Sequence, residues 1–170
     1  LAEALTHEFY DYKADFKRAK LLILDELQAG NVEAEILLQV IGSLQPRDLA
    51  ELIEIRQNLI RLSDEGYEAA MFALLELEAS QYWYEDIGEK FSYKQDTDIA
   101  ALYGLKLLDS SFGVGRFKDL IDFRSFGKSL STEQMKPIVE RLKTISNNPN
   151  ELDKRSAILA SSALSVIFER

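Results

Sequence analysis

The sequence predicts an all-α protein of about seven helices, and three observations carry that expectation. Apolar residues recur at steps of three and four along most of the chain, no run shows convincing strand alternation, and glycine, proline and capping residues punctuate the apolar stretches. Short links between the helices suit either an antiparallel helical-hairpin array or an irregular helical bundle.

Leu5, Phe9, Tyr12, Phe16, Ala19, Ile23 and Leu27 fall on one stripe of a 3.6-residue helix, which predicts a long first helix. Gly30-Asn31 is its stop, and Val32 to Ile41 resumes helical spacing through Ile36, Leu37 and Val40. Pro46 suits the first turn of a third helix reaching about Ser63, and Gly66 marks the next break. From about Tyr67 to Ile87 apolar residues occur on nearly every side, the pattern of a central helix. Gly88 to Gln95 reads as a connection, and Asp96 caps a fifth helix through Leu108. Gly113, Gly115 and Gly127 punctuate a less regular region in which "RFKDLIDF" forms a short helix. "STEQ" at 131 to 134 is a capping box, and Asn150 is expected to cap a last helix from Glu151 to Phe168.

A chain of 170 residues reads as one domain, 1–170, large enough to fold on its own core. With no cysteine, disulfides, thiolate zinc sites, iron–sulfur clusters and cysteine nucleophiles are excluded. Even the apolar "KLLILDELQ" carries Asp25 and Glu26, so no membrane-spanning segment is expected. A cytoplasmic location is expected, and a processed secretory form is also compatible with a chain that begins at Leu1. The formal charge of −9 disfavours direct binding to nucleic acid or anionic lipid and favours a basic protein partner. Acidity is concentrated: from Asp64 to Asp98 there are ten acidic residues against Lys90 and Lys94. The sign reverses from Phe112 to Lys128, where Arg116, Lys118, Arg124 and Lys128 outnumber Asp119 and Asp122.

"LQAGNVEAEILLQV" can be laid over "LSDEGYEAAMFALL" at an offset of 35 residues, with Leu27 on Leu62 and Ile36 on Met71. "DIAALYGLKLL" adds a third copy at a further 31 residues. Across about residues 20 to 125 this pattern resembles the tetratricopeptide class of helical repeats and its Sel-like relatives. The resemblance implies a curved scaffold that binds another polypeptide on its concave side.

Catalytic and metal constellations are sparse. A single histidine, His7, cannot supply a ferritin-like di-iron site, and it reads as a solvated side chain. The acidic segment lacks calcium-loop spacing. "FGKS", 126 to 129, has Asp122 where a phosphate loop needs glycine, and "GVGRFK" lacks a third glycine, so both read as turns. Glu76 and Glu78 are two apart and read as solvated charge. No cofactor and no catalytic residue is expected.

The stretch "SQYWYEDIGEKFSYKQD" is the candidate binding surface. Tyr82, Trp83 and Tyr84 are consecutive and fan through about 200° on a helix, so at least one ring should reach a surface. One reading puts Trp83 and Phe91 in the core with the tyrosines at its edge. The other makes Tyr82, Trp83, Tyr84, Glu85, Asp86, Glu89 and Tyr93 an acidic, aromatic-rimmed face for a basic partner. The expected function is a non-enzymatic interaction module of the immunity, antitoxin or adaptor kind. Alternatives are a nucleic-acid-mimicking inhibitor, or a small-anion binder or enzyme whose pocket uses Arg116, Lys118, Arg124 and Lys128.

Overall fold

Ten α-helices and no strand make up the residues described by this computed structural model, 15–123, 130–148 and 150–168, with residues 82, 122 and 123 described by backbone alone. In chain order they are α1 (Phe16–Leu22), α2 (Leu24–Gln28), α3 (Val32–Leu44), α4 (Leu49–Asp64), α5 (Glu68–Ala79), α6 (Gln81–Trp83), α7 (Thr97–Leu107), α8 (Ser111–Phe123), α9 (Thr132–Asn147) and α10 (Lys154–Phe168). A π turn, Tyr84–Gly88, and a 3₁₀ turn, Glu89–Phe91, follow α6. His7 and the 126–129 segment lie outside the described residues.

More elements occur than the roughly seven expected, in part because two long apolar stretches are broken. The first breaks at Ile23, whose N–H bonds Lys20 O rather than continuing the four-residue ladder. The second breaks at Ser80, which is extended (φ −80°, ψ 117°) and turns its hydroxyl onto the N–H of Trp83 to start α6. Two helix starts also lie later than expected. Asp48 caps α4 through Glu51 N–H, leaving Pro46 in the preceding link, and Asp153 caps α10 through Ser156 N–H in place of Asn150. "GVGRFK" lies within α8 rather than in a turn. A Cβ on Gly113 would fall 1.7 Å from the Leu107 carbonyl, so glycine lets α8 begin against the end of α7. The caps at Asn31, Asp96 and the Ser131/Gln134 capping box form as their chemistry predicts.

The α2–α3 and α4–α5 links close alike. Gly30 (φ 76°) and Gly66 (φ 95°) adopt left-handed backbone, and the N–H of the next residue reaches back five positions, Asn31 to Glu26 and Tyr67 to Leu62. These matched turns are 36 residues apart, one more than the sequence alignment gave. At that offset the buried Ala34 and Ile41 correspond to the buried Ala70 and Leu77.

Helix α5 is the hub: it packs on α3, α4, α7 and α8, while α10 closes the other end against α8 and α9. Its Ala70, Leu74, Leu75 and Leu77 are sealed in the main core, and a second small cluster joins Ala19 and Ile23 to Ala34 and Ile41. Leu74→Ala should therefore cost ~2–5 kcal/mol by leaving a cavity. Leu102→Ala, at a side chain 51% exposed, should change stability by no more than ~0.5 kcal/mol. Denaturant unfolding followed by circular dichroism checks both.

Candidate functional site

The stretch after α5 is built around one carboxylate. Glu78 is fully buried and its oxygens are all spoken for. Arg56 Nε donates to Oε1 at 2.7 Å, the Tyr93 hydroxyl donates to the same oxygen at 2.6 Å, and the backbone N–H of Asp96 donates to Oε2 at 2.6 Å. Arg56 also gives Nη2 to Asp96 Oδ2 at 2.8 Å, and Asp96 Oδ1 caps α7 through the N–H groups of Asp98 and Ile99. Gln95 adds bonds to the carbonyls of Leu77 and Ser80. Helices α4, α5 and α7 and the 93–96 link are thereby tied at one point.

Burial holds the Glu78 carboxyl above its ordinary range, against the opposing pull of Tyr93, the Asp96 N–H and Arg56. Desolvation is thus not fully repaid by pairing, as is common for interior ion pairs. The same burial, then the facing Glu78 charge, raises the Tyr93 phenol. The carboxylate is sealed from solvent and accepts from three donors, which leaves it no path to a substrate. Its role is positional.

Trp83 and Tyr93 join this core. Their rings meet edge to face at 5.3 Å, and the Trp83 Nε1–H donates to Ser43 O at 3.0 Å. Neither offers surface to a partner in this arrangement. Tyr84 is half-buried at the edge, whereas Glu85 and Asp86 on the π turn and Glu89 at the start of the 3₁₀ turn are exposed. The side chain of Tyr82 is outside the described set.

The acidic segment does not form one patch. Asp64 accepts from Tyr103 and Lys106, Glu65 pairs with Arg61, Glu78 and Asp96 share Arg56, and Asp98 accepts from Gln134. Glu78, read from the sequence as solvated, is instead interior because it lies three and four residues after Leu75 and Leu74 on the buried stripe of α5. That spacing was the available signal, whereas its partner Arg56 lies too far away in sequence to be found by periodicity.

Of the residues expected to bind an anion, Arg116 lines a groove between α8 and α10 together with Arg155, which sequence reasoning missed. Lys118 lies about 200° further around α8 and does not line it. Arg124 and Lys128 lie outside the described residues. Among the described residues no metal-binding cluster occurs, and no helix is long and apolar enough to cross a membrane. The chain matches no family model, no curated protein and no solved structure.

Replacing Glu78 by Leu should cost about 2–4 kcal/mol, since Arg56, the Tyr93 hydroxyl and the Asp96 N–H lose their acceptor. Adding Arg56→Met should recover part of that loss. Denaturant unfolding measures both changes, and the single tryptophan, Trp83, reports loosening by a red-shifted emission.

Tyr103 is raised to about 12 by burial and then by the Asp64 carboxylate it bonds. A raised phenol stabilises the fold fully below the ordinary value near 10 and loses that contribution as pH rises through the folded value. Alkaline absorbance titration should therefore show Tyr93 and Tyr103 ionising late, Tyr93 only as the fold opens.

Proposed function

We propose that this protein is a non-enzymatic interaction module that binds a basic protein partner through the turn bearing Glu85, Asp86 and Glu89. The observation that supports this reading is how the segment is held: exposed Glu85 and Asp86 ride on an uncommon π turn, exposed Glu89 opens the 3₁₀ turn that follows, and Trp83, Tyr93 and Glu78 fix the flanks. A display that is rigid before encounter loses little conformational freedom on binding. Its charges favour fast, selective capture of a positive surface, and the rim of Tyr84 supplies an apolar edge.

An immunity or antitoxin protein that occludes a basic toxin needs such a face, as does an adaptor that holds a basic client. Helical hairpins closing through matched glycine turns are consistent with the scaffold role that the tetratricopeptide resemblance implies. Nucleic-acid mimicry has less support, because five of the ten clustered acids are already bonded to side chains or backbone of this chain.

Affinity capture at low and high salt tests the proposal, with Glu85→Gln, Asp86→Asn and Glu89→Gln combined as the comparison. All three side chains are exposed, so stability should change by less than about 1 kcal/mol. A basic protein held at low salt, released at high salt and lost by the triple variant is the expected result. Retention of the same partner by the triple variant overturns the assignment.

A further inference from the structure

We infer that the groove between α8 and α10 is a binding site for a small organic monoanion with an apolar body, such as an aryl or alkyl carboxylate. The inference is independent of the acidic turn. The groove has a volume of about 360 Å³, within the ~300–1,000 Å³ range of small-molecule pockets.

Arg116 is its anchor. The guanidinium lies over two rings, 5.3 Å from the centre of Phe72 and 5.1 Å from that of Phe112. This places a planar cation against an apolar wall while, among the described residues, no carboxylate pairs with it. A guanidinium in that setting presents donors suited to the two oxygens of a carboxylate. Arg155, on the first turn of α10, lines the same groove and adds a second positive charge.

The rest of the lining selects the kind of anion. Phe112 is 49% exposed and Leu159 lies beside it, so apolar surface stands open next to the cation. Asp153 also lines the groove, but its carboxylate is committed to the Ser111 hydroxyl and the Ser156 N–H, which hold it below the usual carboxylate range. Together with Asp119 it balances the two arginines, so the groove carries no net charge. A doubly charged phosphate gains little from a neutral lining and meets two carboxylates. A single carboxylate seated on Arg116, with its hydrocarbon part against Phe112 and Leu159, uses both halves of the site.

Titration of the protein with 3-phenylpropionate, phenethylamine and inorganic phosphate, followed by amide chemical shifts in a nuclear magnetic resonance spectrum, tests this. Saturable shifts confined to residues 111–119 and 153–159, given by 3-phenylpropionate alone, are expected. Arg116→Gln should abolish them. Because Arg116 also covers the Phe72 ring, Arg155→Gln serves as the second variant: its side chain is exposed, and its loss should weaken binding about tenfold. Absence of saturable shifts, an equal response to phosphate or phenethylamine, or unchanged affinity in Arg155→Gln overturns the inference.

Discussion

The buried carboxylate of Glu78 is the constraint on which the arrangement around the π turn depends. An ionised group inside a helical core is tolerated only with several donors around it, and here they come from two separate parts of the chain: Arg56 on α4, and Tyr93 and the Asp96 N–H at the two ends of the 93–96 link that leads into α7. Those parts are not free to drift without stranding one another's charges. The link must turn back after Phe91 so that Tyr93 and the Asp96 N–H reach Glu78, and Ser92 takes left-handed backbone (φ 56°) at that reversal. Between Trp83 and that reversal run the π turn, Tyr84–Gly88, and the 3₁₀ turn, Glu89–Phe91.

Local chemistry in this chain was legible, and long-range chemistry was not. Asn31, Asp96 and Ser131 each satisfy N–H groups two or three residues away, so their capping roles could be read directly. Apolar spacing identified α3 and α4 for the same reason, and the caps themselves marked the starts of α7 and α9. The breaks at Ile23 and Ser80 escaped notice because apolar residues on both sides continue the helical spacing, while the deciding bonds are a carbonyl shift and a serine hydroxyl. The one-residue error in the repeat offset had a similar origin. Matching side chains aligned Glu33 with Glu68, whereas the backbone equivalence is set by the left-handed glycines at 30 and 66.

The charge pattern shows the same division. Ten acids in one segment look like a patch when only the segment is considered, but Arg56 and Arg61 from α4 and Lys106 from α7 come back to neutralise four of them. Pairing of this sort depends on which helices are neighbours, which composition does not encode. Asp64, Glu65 and Asp98 stay exposed but bonded to neighbouring side chains, whereas Glu85, Asp86 and Glu89 are exposed and face none of those cations. Arg116 is the converse case: in a locally basic segment, it is packed against rings and left without a carboxylate partner among the described residues.

Helix α5 connects the two candidate surfaces. Phe72 on this helix backs the Arg116 guanidinium, and Glu78, six residues later and about 9 Å further along the axis, fixes the base of the acidic turn. Six residues also rotate the helix by about 240°, so the two side chains leave on different faces and share no neighbour in these interactions. A helix apolar on every side can serve both surfaces because Leu74, Leu75 and Leu77 between them are sealed on all sides and hold it in place. Loss of the Glu78 bonds therefore acts on the 84–96 region through α4 and α7, while Phe72 still backs the Arg116 guanidinium of the α8–α10 groove. Common support with separate polar contacts is what makes the acidic turn and the groove two distinguishable sites on one fold.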